Sequence, residues 1–325
     1  MLTRILGKSG IEVSAMGLGC ASIAGVWTYM GGPAGYGKID DDESVRAIHC
    51  AIDLGINFFD TAPNYGCGRS ERVLGRAIAD RRDQVVLATK FGYVCQEGTK
   101  EVVDSDVSPE AIRRSLEDSL RRLRTDCVDL LQLHVWALES EKTLEVRETL
   151  EELVADGKIR SYGWSTDNTE GVRVFARGHD HCVAAQHPLN VIQDAPEMLA
   201  VCDEFHLASI NLAPLMSGFL SGKYTDDATF SGDDWRQRFN LKAGSHAELF
   251  KHVDALREVL TRGERTLIQG ALAWIWARSE RTIPIPGFKT VAQVEENAKA
   301  MEFGLLSDEQ MRQIDNILGR ESITV

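Results

Sequence analysis

Eight runs of strand-forming residues alternate with helical patterns along this 325-residue chain, and no stretch of linker composition separates them. The runs cover residues 16–20, 57–60, 85–90, 128–134, 159–165, 182–186, 207–212 and 282–287. Between them, apolar residues recur at helical spacing: Val45, Ile48 and Ile52 before Gly55, then Ile112, Leu116, Leu120 and Leu123 behind Ser108 and Pro109. Val172 and Phe175, then Leu267, Ala271 and Ile275, repeat the pattern later, and Ser307 with Gln310 opens the last helix as a capping box. Alternation of this kind at this length favours a closed (β/α)8 barrel over an open doubly wound sheet. Residues 17–22 lack the third glycine of a dinucleotide-binding G-x-G-x-x-G turn, which also counts against the open sheet. We expect one domain over residues 1–325.

Three stretches fall outside the repeat. Residues 2–6 and 11–13, separated by Gly and Ser, read as a short N-terminal β-hairpin. Residues 24–37 carry five glycines, Trp27 and Tyr29, and read as a loop bordering a pocket. Residues 223–245, after the seventh strand, are rich in Asp and Gly and read as a long functional loop without regular structure.

In a barrel, the residues at the C-terminal strand ends converge on one mouth. Those residues here are Asp60, Lys90, His134, Ser165 and Gln186, with Tyr65 just beyond Asp60. A phenol is a poor proton donor-acceptor while its pKa stays near 10, and a neighbouring ammonium lowers that value. Lys90 is the candidate ammonium, with Asp60 as its counter-ion and His134 as a hydrogen-bonding partner for a substrate oxygen. The set suits interconversion of a carbonyl and an alcohol, with hydride supplied by a cofactor. Each residue alone has a plainer reading: Asp60 as a turn cap, Tyr65 as packing, Lys90 as a side chain reaching for solvent. A zinc or two-metal hydrolase is the competing enzyme class, but only Asp60 and His134 have ligand placement, and we expect no metal. His179 and His181 precede their strand and lie at its wrong end.

Composition narrows the classes further. A formal charge of -13 argues against nonspecific nucleic-acid binding. No apolar run approaches the ~20 residues of a membrane span. Seven scattered cysteines without a C-x-x-C pair suggest free thiols in a reducing, cytoplasmic compartment, and no leader pattern opens the chain. Cys67, beside the site loop, is expected to be exposed and open to oxidation. The expected partner is a small molecule; the sequence leaves the oligomeric state open.

Several segments, in order, resemble signatures of the aldo-keto reductase family. They are Asn57 to Ala62 with Tyr65, Gly66, Ser70, Glu71, Leu74 and Gly75; Thr89 to Gly92; Asp129 to His134; and Ile283 to Gly287. The similarity runs from Arg4 to Asn297. It implies a TIM barrel that binds NADP or NAD across the strand ends, and a tetrad of Asp60, Tyr65, Lys90 and His134 with Tyr65 as general acid. By the same resemblance Ser165 and Gln186 hold the nicotinamide carboxamide, and Leu215 and Ser217 follow the pyrophosphate. Gly287, Lys289, Gln293 and Asn297 surround the adenosine end. Trp27 and Trp136 are expected to line the substrate pocket. A regulatory subunit that binds nucleotide with little turnover is the rival the resemblance leaves, and reduction of small carbonyls or oxidation of a sugar or polyol remain open as directions.

Two departures from the family pattern bear on the cofactor. Thr166 stands where the family often has Asn, and Leu212 stands where an aromatic usually stacks on the nicotinamide. Lys289 and the amides of the helix starting near Thr290 form an expected anion site, which favours NADP over NAD. Gln293 replaces an arginine that stacks on adenine.

Overall fold

A computed structural model describes residues 2–320, apart from the side chains at 140 and 245–247. Its central feature is an eight-stranded sheet in sequential order. The strands are β1 (Leu18–Gly19), β2 (Phe58–Asp60), β3 (Val86–Phe91), β4 (Leu130–Leu133), β5 (Tyr162–Ser165), β6 (Cys182–Pro188), β7 (Ala208–Leu212) and β8 (Thr282–Pro284). Every neighbouring pair is parallel. Gly17 N donates to Pro284 O at 3.0 Å and Gly19 N to Pro286 O at 3.1 Å, which closes β1 onto β8. Glycine is required at this seam: a Cβ on Gly17 would lie 2.4 Å from Phe58 Cδ1, and one on Gly19 2.8 Å from Ile285 O. The (β/α)8 barrel expected from the alternation is the observed fold.

Helices α1 (Asp41–Asp53), α2 (Arg69–Ala77), α3 (Pro109–Leu123), α4 (Ser140–Ala155), α5 (Thr169–Ala176) and α6 (Pro196–Glu204) follow β1 to β6. The connection after β7 holds α7 (Ser245–Leu260) before α8 (Leu267–Arg278); α9 (Val291–Phe303) follows β8, and α10 (Asp308–Leu318) packs on α7. The caps at Ser108 and at Ser307 with Gln310 are those the sequence indicated, and Asp40 caps α1. Asp40 accepts from the amides of Asp42 and Glu43, Ser108 accepts from Ala111 ahead of Pro109, and Ser307 with Gln310 completes a capping box.

Alternation along each strand sorts the side chains. Leu87 and Phe91 of β3, Leu131 and Leu133 of β4, and Ala185 of β6 face the helices in the outer apolar core. Phe58, Val86, Ala88, Leu130 and Ala184 fill the barrel interior, where Leu6 and Val13 of the N-terminal hairpin plug its lower end. Two residues further along the same strands, the inward series becomes polar: Asp60, Lys90, Gln132 and Gln186. The barrel is thus apolar at the bottom and polar at the mouth.

Two stretches expected to be irregular are structured. Residues 24–37 contribute the short strands Thr28–Tyr29 and Gly32–Pro33 to a four-stranded sheet with Tyr93–Gln96 and Glu101–Ser105, a hairpin that follows β3. The 223–245 connection contains the 3-10 turn Trp235–Arg238 and an aromatic cluster, with Phe230 and Phe239 packed on Phe219. Asp234 and Arg236, both buried, pair at 2.7 Å and pin this loop, and Trp235 N donates to Gly35 O at 3.0 Å. Aromatic residues at irregular spacing carry no period, so the order of this loop has no periodic signature in the sequence.

Candidate active site

Asp60 ends β2 with only 2% of its surface exposed, and Lys90, two residues past Ala88 on β3, is fully buried. Lys90 Nζ donates to Asp60 Oδ2 at 2.5 Å, to Thr61 O at 2.9 Å and to the Tyr65 hydroxyl at 3.3 Å. The ammonium therefore uses its three donors on three different partners, as a buried cation must. Burial is the largest influence on Lys90 and would lower its pKa, but Asp60 and Tyr65 together outweigh it and hold the group above its ordinary value. For Tyr65 the balance goes the other way. Burial raises the phenol above its ordinary value, and the opposing Lys90 charge does not overcome it. The expected net lowering of the phenol is not what this structure has, because desolvation of a phenolate outweighs one ammonium already shared with Asp60.

The turn that carries Tyr65 is fastened from behind. Thr61 Oγ1 and Ser70 Oγ lie 2.9 Å apart, and Ser70 Oγ donates to Cys20 O at 2.8 Å. Glu71, fully buried, accepts from Thr89 Oγ1 at 2.6 Å and from Arg122 Nε at 2.7 Å. These contacts explain why Ser and Glu follow the tyrosine turn: they lock the start of α2 against β3 and α3.

His134, one residue past β4, stands edge-on to Tyr65 with ring centres 5.8 Å apart. Burial first, and then the Lys90 charge, push its pKa well below the ordinary value, so the ring is neutral. Its Nδ1 lies 3.1 Å from Asn64 Oδ1, which makes Asn64 the side chain that decides which ring nitrogen carries the proton and leaves Nε2 for the pocket. Tyr93, on the hairpin after β3, packs against the other side of the imidazole at 5.2 Å. Asp60 Oδ1 accepts from Gln132 Nε2 at 2.9 Å and from Gln186 Nε2 at 3.0 Å. Sequence reasoning missed Asn64, Tyr93 and Gln132. The inward period of β4, which puts Gln132 between Leu130 and His134, was the available signal for the last of these.

The sequence model of the aldo/keto reductase family matches residues 15–318. The chain belongs to the aldo/keto reductase family. As a member it is an NAD(P)-dependent oxidoreductase. Its relatives include the aldo-keto reductase YhdN of Bacillus subtilis, 31% identical over 96% of this chain and 92% of that protein. Another, the aldo-keto reductase yakc [NADP(+)] of Schizosaccharomyces pombe, is 30% identical over 96% of this chain and 90% of that one. Among solved structures, the glycerol dehydrogenase AKR11B4 from Gluconobacter oxydans superposes with a TM-score of 0.85 at 30% identity, covering 99% of this chain and 97% of that one. An aldo/keto reductase from Klebsiella pneumoniae, solved with NADP and acetate, gives a TM-score of 0.72 at 29% identity, covering 100% and 98%.

The remaining residues expected at the site of this aldo/keto reductase separate into two groups. Ser165, which ends β5, and Gln186, two residues before the end of β6, are buried and pair in register, and Leu212 is half-buried at the end of β7. Leu215 leads into Met216, Ser217 and Gly218, whose φ values of 49°, 56° and 93° lie in the left-handed region. Within this turn Met216 N donates to Ala213 O and Gly218 N to Leu215 O, each at 2.9 Å, so the tight turn closes on its own backbone. Thr166 donates to Trp136 O at 2.5 Å and accepts from Asn168 N at 3.1 Å, so its hydroxyl is spent on local backbone. Trp27 is nearly buried and lies 6.4 Å from Tyr65, whereas Trp136 is 43% exposed.

The second group is rearranged. Lys289 Nζ donates to Tyr36 O at 2.6 Å, and burial, then the charge of Arg236, lower its pKa. Gln293 accepts from Lys289 N at 2.7 Å and so braces the turn after the exposed Gly287; Asn297 is buried in α9. The first amide of α9, Val291 N, donates to Glu43 Oε1 at 2.9 Å. A carboxylate from α1 thus already occupies part of the helix terminus expected to be open to an anion. Arg236, which the sequence did not single out, reaches Ser217 O at 3.0 Å and lies near Lys289, but it brings its paired Asp234 with it. His179 and His181 both turn to Glu151, at 3.0 and 2.7 Å. No helix among the described residues is long and apolar enough to cross a membrane.

Proposed function

We propose that the protein interconverts a small aldehyde or ketone and its alcohol, using NADP in preference to NAD, with Tyr65 as general acid in reduction and general base in oxidation. The observation that carries this reading is Lys90 Nζ lying 3.3 Å from the Tyr65 hydroxyl while Asp60 holds it at 2.5 Å. The nicotinamide, when bound, supplies or accepts the hydride. The residues present fit such a cofactor: Ser165 offers a buried hydroxyl at the barrel mouth, and Lys289 offers a cation for a further phosphate, with Arg236 beside it already paired to Asp234. The yeast relative named for NADP(+) and the Klebsiella structure with NADP support the same preference.

In reduction, the raised pKa keeps the Tyr65 phenol protonated, and its proton passes to the substrate oxygen as charge builds there. Lys90 then stabilises the phenolate left behind, and Asp60, held by Gln132 and Gln186, keeps Lys90 charged and aimed. With Nδ1–H on Asn64 Oδ1, neutral His134 presents Nε2 as an acceptor for the alcohol hydroxyl, and Trp27 supplies an apolar wall. The free cysteines support a reducing, cytoplasmic setting.

A second reading, oxidation of a polyol-like alcohol as the main direction, is favoured by the likeness to the Gluconobacter glycerol dehydrogenase. A panel of aldehydes, aromatic carbonyls, sugars and polyols, assayed in both directions with both cofactors, separates the two. Tyr65→Phe should lose about 10²–10⁴-fold in turnover while still binding NADPH. Wild-type turnover in that variant, or nucleotide binding without turnover on any compound, would sink the proposal.

A further inference from the structure

Two residues past Tyr65 and two residues past Tyr93, the chain places a cysteine. Cys67 is buried, at 2% exposure, contrary to the expectation that it is exposed; Cys95 is half-buried. A shift of register between Val94 and Cys95 in their hairpin lets Cys95 lean on the tyrosine turn, where its thiol lies 3.8 Å from Pro63 O. Pro63 O also accepts from Gly68 N at 2.7 Å, so the turn that carries Cys67 and the strand that carries Cys95 meet at one carbonyl. Cys67 and Cys95 line one cavity of about 210 Å³, together with Pro63, Arg114 and Arg122, which gives a small solute a path to the pair.

We propose that Cys67 and Cys95 are a dithiol that a hydroperoxide converts to a disulfide, tying the Tyr65 turn to the strand that carries Tyr93. Cys67 Sγ attacks the terminal peroxide oxygen: an S–O bond forms, the O–O bond breaks, and an alcohol, or water from hydrogen peroxide, leaves. Cys95 Sγ then attacks Cys67 Sγ, an S–S bond forms, and the sulfenic oxygen leaves as water. The two thiols lose two electrons and the peroxide gains them. A small dithiol reverses the change.

Cys67 is taken as the first nucleophile: its contact with Cys95 draws the thiol below its ordinary value, burial and Glu97 oppose this, Arg72 and Arg122 assist, and Cys95 is raised. The other five cysteines are all raised by burial, Cys182 and Cys202 to about 12. The consequence for the site follows from position. Tyr65 and Tyr93 pack on His134 at 5.8 and 5.2 Å, and a covalent tie behind both shifts the two rings together.

The test uses the reduced full-length protein and hydrogen peroxide. Intact mass should fall by two hydrogens, and peptide mapping should recover a Cys67–Cys95 linked pair. Turnover should drop by about tenfold or more and return with dithiothreitol. Cys95→Ser should leave the untreated activity intact and convert the response to irreversible oxidation at Cys67; Cys67→Ser should abolish the link. The mass readout does not depend on knowing the substrate. A map with no Cys67–Cys95 link overturns the proposal. So does linked protein with undiminished turnover, or a reversible loss that persists in Cys95→Ser.

Discussion

Lys90 Nζ sits 3.3 Å from the Tyr65 hydroxyl and 4.9 Å from the centre of its ring, so one buried ammonium faces both the oxygen and the π-face of the phenol. Its charge opposes the upward push of burial on Tyr65. Removing it in Lys90→Met should therefore raise the phenol further. Oxidation needs phenolate and is gained as pH rises, so its acidic limb should move to higher pH. Reduction needs the protonated phenol, so its alkaline limb should move the same way, with a lower plateau in both directions. pH profiles of kcat/KM for the two directions check this. A limb that moves down or stays fixed would separate Lys90 from the proton.

Gln132 is the donor that, with Gln186, fills Asp60 Oδ1 and leaves Oδ2 for Lys90. Gln132→Met keeps most of the volume and drops the donor. Because the Asp60 oxygen is buried, the expected cost is about 1–3 kcal/mol, moderated by the remaining Gln186 bond. Urea denaturation of the two proteins measures it; an unchanged midpoint would mean that Gln186 alone satisfies the carboxylate.

Gly17 tests the barrel seam. A methyl group there meets Phe58 Cδ1 at 2.4 Å and Phe58 O at 2.9 Å, and backbone cannot retreat without opening the bond from Gly17 N to Pro284 O. Gly17→Ala should destabilise the fold by about 1–3 kcal/mol, the usual cost of overpacking a core. Gly98, whose Cβ would meet nothing within 4 Å and whose φ is not in the left-handed region, is the control for space. Thermal melts that show no loss in Gly17→Ala would contradict the closure described here.

The barrel was legible because period and order are written locally: each strand run, cap and helical face can be read within a short window. The mouth was legible for the same reason, since Asp60, Lys90, His134 and Gln186 each lie within two residues of a strand's C-terminal end. What stayed hidden depends on contacts across the chain. Asn64 matters through His134, 70 residues away, and Glu43 through the first amide of α9, 248 residues away. Arg236 lies in a loop whose order comes from aromatic residues without periodicity. The sign of the Tyr65 shift was missed because a sequence shows a neighbouring charge but not the depth at which the phenol is buried.

The cation pair near the adenosine end gives the last prediction. Lys289 is held on Tyr36 O with its pKa lowered by burial and by Arg236, which Asp234 offsets only in part. A 2′-phosphate placed there relieves both penalties, whereas the hydroxyl of NAD relieves neither. Against this, Glu43 keeps its carboxylate on Val291 N, so the helix terminus contributes less than its geometry suggests. A preference for NADPH over NADH of about tenfold, ~1.4 kcal/mol, is the expected balance, and added salt should narrow it. Lys289→Ala should weaken NADPH by a similar factor and barely change NADH. Removing the Glu43 carboxylate in Glu43→Gln should widen the preference, because a negative charge beside the phosphate is lost. Titrating both cofactors into the three proteins by tryptophan fluorescence measures each term. Equal losses for NADPH and NADH in Lys289→Ala would move the phosphate away from Lys289.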